Sequence, residues 1–319
     1  MMLDKIILLT GATGFVGHAV ASDLNTRELR LLSRKDPKLA QCKFCQADID
    51  KNANYSSHLQ NVDVVIHAAA RVHVMNDHST NPLSDFREVN TAGTMNLARQ
   101  AVDAGVKRFI FVSSIKVNGE STEIGKPFTE SDDRCPEDFY GQSKSEAEVQ
   151  LLELAKQTGL EVVIIRPTLV YGPGVKANFA SLLKLVSKGL PLPFGSIKEN
   201  KRSLVSVNNL VDLIVTCIDH PNAVNQVFLV SDDHDISTAS IVKHMSQALG
   251  KSSRLLPVPL WCYRVVGKLT GKTDMVDRLL GSLQVDITHT KNTLGWVPPQ
   301  TLEQGFKETA EAFLLNKNK

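Results

Sequence analysis

The sequence predicts an α/β protein built on a doubly wound parallel sheet, with a smaller, discontinuous lobe in its C-terminal half. Three observations carry that expectation. From Lys5 to Ile165 short apolar runs alternate with helical patterns, the rhythm of parallel strands joined by right-handed crossover helices. A glycine-rich turn, Thr10-Gly11-Ala12-Thr13-Gly14-Phe15-Val16-Gly17, separates the first apolar run from the first helix. Beyond Pro167 the rhythm changes, with turns at Tyr171-Gly172-Pro173-Gly174 and Gly189-Leu190-Pro191-Leu192-Pro193 and prolines at 257, 259, 298 and 299.

The elements follow in order. Lys5 to Leu9 is apolar after its first residue and closes on the glycine turn, which predicts a short strand buried on both faces. A helical pattern continues to Leu24. Glycines in a strand-to-helix turn let the backbone approach a pyrophosphate, which rests on free N–H groups at the helix N-terminus. The spacing is Gly-x-x-Gly-x-x-Gly, which departs from the usual Gly-x-Gly-x-x-Gly. Glu28 to Leu32 predicts the second strand, ending at Ser33-Arg34-Lys35. An acidic residue there would bind the adenosine ribose diol, whereas serine beside two cations suits a 2′-phosphate. Lys43 to Ala47 is a third strand, and Asp48-Ile49 after it could border an adenine ring. Asp63 to His67 is a fourth, running into Ala68-Ala69-Ala70, where small side chains let a cofactor pass close to the backbone.

Leu83 to Ala104 predicts one long amphipathic helix carrying Asn90, and Arg108 to Val112 a fifth strand ending at Ser113-Ser114. Ile115 to Pro136 is polar and turn-rich, suited to a loop over a site. Tyr140 to Thr158 is helical and Leu160 to Ile165 is another buried strand. Asn209 to His220 is helical, and Gln226 to Val230 is a strand able to return to the main sheet. The expected division is 1–170 plus about 207–231 for the sheet domain, and about 171–206 plus 232–319 for the lobe. Ligands of such a sheet belong at the C-terminal strand ends. The glycine loop, Ala68–Ala70 and Ser113-Ser114 all fall there.

Composition narrows the partners. The chain has 319 residues, 42% hydrophobic and 22% charged, with a formal net charge of +2. That charge is too small to make nucleic acid or an anionic membrane the expected main partner. Five cysteines without regular spacing point to a reducing compartment. Cys42-Lys-Phe-Cys45 has no second Cys/His pair at a useful distance, so no metal is expected. Met1 to Val20 is apolar with one early lysine, but Ile6-Ile7-Leu8-Leu9 is too short for a leader core or a membrane span. The expected location is the cytoplasm, with no membrane insertion.

Tyr140 and Lys144 carry the chemistry. Four residues apart on a helix, they share one face. A phenol with an ordinary pKa near ~10 is a poor proton donor-acceptor at neutrality, and a neighbouring ammonium favours its phenolate.

The glycine turn, Ser113-Ser114, Tyr140-x-x-x-Lys144, Val-Ile-His-Ala-Ala (65–69), Asn90-Thr-Ala-Gly-Thr, Arg166-Pro-Thr-Leu-Val-Tyr-Gly-Pro-Gly and Leu294-Gly-Trp-Val-Pro stand in one chain. With them the sequence resembles the extended short-chain dehydrogenase/reductases, a Rossmann-fold family. Within these it is similar to the nucleotide-sugar epimerases, dehydratases and 4-keto reductases. The resemblance implies Tyr140 as acid/base on a sugar hydroxyl or ketone, with Lys144 lowering its pKa and holding the nicotinamide ribose. Ser114 would bind the same sugar oxygen. The cofactor contacts implied are Gly11, Gly14, Phe15, Val16, Gly17, Ser33, Arg34, Asp48, Ile49, Ala68, Ala69, Ala70, Asn90, Ser113 and Pro167, with Tyr140 and Lys144. Substrate contacts would be Ser114, Asn118, Asn178, Arg202 and Arg278. It also implies a homodimer paired through the helices at 83–104 and 140–158.

Departures set the expected reaction. Related UDP-galactose 4-epimerases carry Asp where Ser33 lies and Lys where Val72 lies, and dehydratases carry an Asp-Glu pair where Ile115-Lys116 follows Ser114. Ser33-Arg34 therefore leans toward NADP(H) over NAD(H), and toward an NADPH-dependent reductase of a UDP-linked 4-keto-6-deoxy hexose. The alternative is a UDP-hexose 4-epimerase with retained NAD. A non-catalytic cofactor sensor is a remote third, and the intact Ser114, Tyr140 and Lys144 speak against it.

Overall fold

The structure, a computed structural model, describes residues 5–25, 27–72 and 81–317. The first four residues of the apolar N-terminal stretch lie outside them. In chain order the first half runs β1 (Ile7–Thr10), α1 (Phe15–Asp23), β2 (Leu29–Ser33), β3 (Lys43–Gln46), α2 (Ser56–Leu59) and β4 (Val64–His67). It continues through α3 (Pro82–Arg87), a π-helical turn (Glu88–Gly93), α4 (Thr94–Asp103), β5 (Arg108–Val112), α5 (Phe139–Thr158) and β6 (Glu161–Pro167). Then come β7 (Leu169–Tyr171), α6 (Ala177–Ser187), β8 (Arg202–Ser206), α7 (Val207–Asp219), β9 (Gln226–Val230), β10 (Asp235–Ile236) and α8 (Thr238–Ala248). The chain closes with α9 (Leu260–Thr270), α10 (Thr273–Leu280), α11 (Thr288–Leu294) and α12 (Leu302–Lys317).

Seven strands form one parallel sheet in the order β3-β2-β1-β4-β5-β6-β9. Because side chains alternate across a strand, apolar runs such as Ile7-Leu8-Leu9 supply both faces at once. Ile7 and Leu9 pack toward Val20, Leu210 and Ile214 of α1 and α7. Leu8, Val65 and Phe109 pack toward Leu97, Ala101 and Leu151 of α4 and α5. The order reverses between β1 and β4, so the crevice at their C-terminal ends is the sheet's topological switch point.

The remaining strands make a small sheet, β10-β8-β7, whose apolar side meets α6, α8 and α12 around Tyr171, Phe179 and Phe306. The loop at 115–136 runs beside residues 282–286, with backbone bonds from Thr122 to Ser282 and from Phe128 to Gln284. One sequence expectation changes shape. The helix expected over 83–104 is interrupted by the π turn at Glu88–Gly93, which holds Asn90. A widened turn of this kind redirects a side chain out of helical register.

Candidate active site

Three segments converge at the switch point. After β1, Gly11 takes φ +78°, and a Cβ there would stand 2.6 Å from the Ala69 backbone nitrogen. A Cβ on Gly17 would stand 2.2 Å from the Gly11 carbonyl oxygen. Only hydrogens allow this packing. Gly14 caps α1 without any side-chain cap bond, so its first N–H groups face the crevice as the glycine spacing requires. Phe15 and Val16 sit half-buried on the first turn, and Ala68, Ala69 and Ala70 line the same crevice half-buried. These residues fit a dinucleotide pyrophosphate, because a side chain on Gly11 or Gly17 would push apart the backbone segments that shape the turn.

A hydrogen-bond chain that the sequence reasoning missed fixes the crevice wall. The Ala69 N–H donates to Thr10 Oγ1 at 3.1 Å, and Thr10 Oγ1 lies 2.8 Å from His67 Nδ1. On the other side His67 Nε2 lies 2.9 Å from Thr94 Oγ1, whose hydroxyl donates to the Asn90 carbonyl. These donors admit one tautomer: Thr10 donates to Nδ1, and Nε2–H donates to Thr94. Burial and the Lys144 charge push the His67 pKa down to about 3, so the ring stays neutral. From Thr94 the network reaches Asn90, whose amide brackets the Arg71 backbone and donates to Ser143 Oγ at 3.0 Å. The available signal was a histidine closing an otherwise apolar strand.

Tyr140 and Lys144 start α5, which Asp138 caps by accepting from the Gly141 N–H at 2.7 Å. Gly141 matters for closeness, since a Cβ there would stand 2.6 Å from the Lys116 carbonyl. Ser114, half-buried, opens the loop after β5, and its hydroxyl accepts from the Lys116 N–H at 3.2 Å. Tyr140 is half-buried and meets Phe86 edge-on at 6.4 Å. Lys144 is fully buried; its Nζ donates to the Val112 carbonyl at 2.8 Å and lies 4.3 Å from the Phe111 ring centre.

Burial pushes the Lys144 pKa down to about 7, opposed by the Glu148 charge, while burial and Asp138 hold the Tyr140 phenol above its ordinary range. The Lys144 ammonium is turned to the Val112 carbonyl. A linkage consequence follows. The folded-state value lies below the ordinary 10.5, so the unfolded chain holds more protons between those limits. Stability from this group then rises with pH from about 7 to about 10.4, and below about 7 the burial cost is complete. Lys144→Met is expected to stabilise the fold most at about pH 6, with the gain shrinking toward about pH 10. Urea unfolding across pH checks it, and a gain that grows with pH contradicts it.

Other expected contacts divide. Ser33 is buried and donates to the Lys35 carbonyl, while Arg34 is exposed and stands 3.8 Å from Asp48. Ile49 is buried against Gly93 of the π turn, and Pro167 closes β6 inside the core. Arg202 is half-buried, and burial and the Arg278 charge hold its pKa low; its Nη1 donates to the Arg278 carbonyl at 2.8 Å. Arg278 itself reaches Glu120 at 2.9 Å. Asn178 is exposed on the first turn of α6.

Three further expected contacts are buried and bonded to other side chains. Ser113 donates to Glu148 Oε1 at 2.6 Å. Asn118 is 1% exposed; it accepts from Arg166 Nη1 at 2.9 Å and donates to the Thr129 carbonyl. Asn90 is fully buried and spends its amide on Arg71 and Ser143. Each was assigned from its motif, and each side chain is buried with protein partners.

The fold and the Ser114, Tyr140 and Lys144 segments at a dinucleotide cradle define an oxidoreductase-type site. Comparison with known proteins agrees. A family model described as NAD dependent epimerase/dehydratase family matches residues 7–231. A Vibrio cholerae protein described as UDP-glucose 4-epimerase is 61% identical, covering 99% of this chain and 98% of its own. A relative from Escherichia coli O157:H7, described as N-acetyl-alpha-D-glucosaminyl-diphospho-ditrans,octacis-undecaprenol 4-epimerase, is 29% identical over 99% of this chain and 98% of its own. The solved UDP-glucose 4-epimerase of Thermotoga maritima with UDP-glucose superposes at a TM-score of 0.78, with 23% identity, 98% of this chain and 100% of that one. The chain belongs to the NAD dependent epimerase/dehydratase family, and it is an enzyme of the extended short-chain dehydrogenase/reductase type.

Proposed function

We propose that the enzyme interconverts the C4 epimers of a UDP-linked hexose of the UDP-glucose type, using NAD held through the cycle. The observation that carries this reading is the 61% identity, end to end, to the Vibrio cholerae UDP-glucose 4-epimerase. The Escherichia coli and Thermotoga maritima relatives are also described as 4-epimerases, and a Bacillus cereus UDP-glucuronic acid 4-epimerase was solved with NAD. The reading displaces the 4-keto reductase expected from Ser33-Arg34.

The chain's residues supply holding and proton traffic. Backbone N–H groups of the 11–17 loop hold the pyrophosphate, and Ala68–Ala70 leave room beside it. Asp48 and Ile49 would border the adenine, and Ser33 and Arg34 would meet the adenosine ribose. NAD bound there would supply hydride transfer from and back to the sugar C4. Tyr140 would take the C4 hydroxyl proton as hydride leaves and would return it to the same oxygen once C4 is reduced from either face. Ser114 holds the same oxygen, and Lys144 holds the nicotinamide ribose. Arg202 and Asn178 meet the diphosphate, with Arg278 beside them, and the segments 171–206 and 232–319 form the lobe that carries the nucleotide. Pairing of two copies through α3, α4 and α5 remains our reading of the assembly.

Supply of UDP-glucose to the purified enzyme with no dinucleotide added tests the proposal. UDP-galactose should accumulate, read by proton NMR. A second reading, NADPH-dependent reduction of a 4-keto hexose, is favoured by one observation, the absence of an acid at the end of β2. Turnover that requires added NADPH, with no conversion of UDP-glucose, would establish that reading instead.

A further inference from the structure

The α9–α10 hairpin is the least covered part of the fold. Of α9's eleven residues only Gly267 is buried, packed where a Cβ would stand 2.9 Å from Val276 of α10. No residue of α10 is fully buried. At 100° per residue, Trp261, Val265, Leu269 and Val266 fall on one continuous arc of α9. They are 65%, 45%, 81% and 56% exposed. Arg264 and Lys268, also exposed, flank that arc on one edge. Scattered exposed apolar side chains are ordinary, but a contiguous apolar face rimmed by cations marks an interaction surface.

Charge selects the partner. Residues 251–280 hold six lysines and arginines against Asp274 and Asp277, a local net charge of +4, whereas the whole chain carries +2. The remainder is thus slightly acidic; Arg278 is paired with Glu120, and Arg264 and Lys268 stand on α9 beside the apolar arc. An apolar arc with aromatic and branched side chains, edged by Arg264 and Lys268, is the composition of a helix lying in a bilayer interface. No helix among the described residues is long and apolar enough to cross a membrane, so the geometry concerns resting on a surface.

We propose that the α9 face docks onto an anionic phospholipid surface, with Trp261, Val265, Val266 and Leu269 entering the headgroup boundary and Arg264 and Lys268 meeting lipid phosphates. The hairpin is tied to the active-site side of the molecule through Arg278 of α10, which grips Glu120 in the loop after β5. Docking therefore holds the enzyme at the membrane without using any catalytic side chain. The proposal does not depend on which C4 reaction the site performs.

Co-sedimentation of the full chain with vesicles tests it, comparing phosphatidylcholine alone with a phosphatidylcholine–phosphatidylglycerol mixture. The enzyme should pellet with the mixed vesicles and release in high salt, because its cations are screened there. Trp261→Ala combined with Leu269→Asp should weaken binding at least about tenfold, with vesicle-free turnover unchanged. Absent or equal binding to both vesicle types overturns the proposal, as does unchanged binding by the variant. A wild-type self-association that Leu269→Asp abolishes, without vesicle binding, would assign the face to a second copy. A raised KM in vesicle-free Leu269→Asp would make it a cover over the substrate.

Discussion

Tyr140→Phe is expected to lower turnover by roughly 10²–10⁴-fold, the usual contribution of a positioned acid/base. Dinucleotide binding should survive nearly intact, because the cradle is backbone around Gly11 and Gly17. The substitution removes one oxygen and leaves the ring against Phe86, so the fold has no reason to change. The phenol lies above its ordinary pKa from burial and Asp138. Burial thus opposes the phenolate that must take the C4 hydroxyl proton, whereas a neighbouring ammonium favours it. Turnover measured at saturating nucleotide sugar, beside a dinucleotide titration, separates the two effects. Retained activity would remove Tyr140 from the reaction, and lost dinucleotide binding would make its role structural.

The second large effect lies behind the site. Arg166, 1% exposed, grips Glu148, fully buried, through Nε at 2.9 Å and Nη2 at 2.5 Å. Ser113 and Arg134 add bonds to the same carboxylate, and Asn118 completes the Arg166 fork. Glu148 lies one turn beyond Lys144 on α5, so the pair fixes that helix to the ends of β5 and β6. Arg166→Met leaves the Glu148 charge without its main partner, and removing one member of a buried pair costs about 3–5 kcal/mol. Urea unfolding should show that loss, and turnover should fall with it as Lys144 shifts. Arg166→Met with Glu148→Met should recover much of the stability, since paired apolar replacement removes the stranded charge. A loss under about 1 kcal/mol for the single change would mean that water reaches the carboxylate.

How far the sequence led can be read from particular residues. The parallel strands were legible because Ile7-Leu8-Leu9 and Val163-Ile164-Ile165 are apolar at every position, which only a sheet covered on both faces accepts. The cradle was legible because glycine at 11, 14 and 17 is a backbone requirement written in residue type. The π turn was not legible: Glu88 to Gly93 continues an ordinary helical pattern, and its widening depends on Asn90 meeting Arg71 and Ser143 across the fold. The bonds of Ser113 and Asn118 to a buried ion pair were not legible, because a polar residue beside a catalytic motif reads the same whether it faces ligand or protein. The partners that decide it, Glu148 and Arg166, lie 35 and 48 residues away. His67 was passed over for the same reason, its role resting on Thr10 and Thr94. The choice between epimerase and reductase was drawn from Ser33 and Arg34, and end-to-end identity to the Vibrio cholerae protein outweighs two positions at the end of β2.

The central claim is that one site removes a hydride from C4 of a UDP-hexose and returns it to the same carbon. UDP-glucose labelled with deuterium at C4 tests this most directly, incubated with the purified enzyme and no added dinucleotide. The account predicts UDP-galactose that keeps its C4 deuterium, together with release of NAD when the protein is denatured. UDP-galactose that has lost the label, or no conversion without added NADPH, would contradict it.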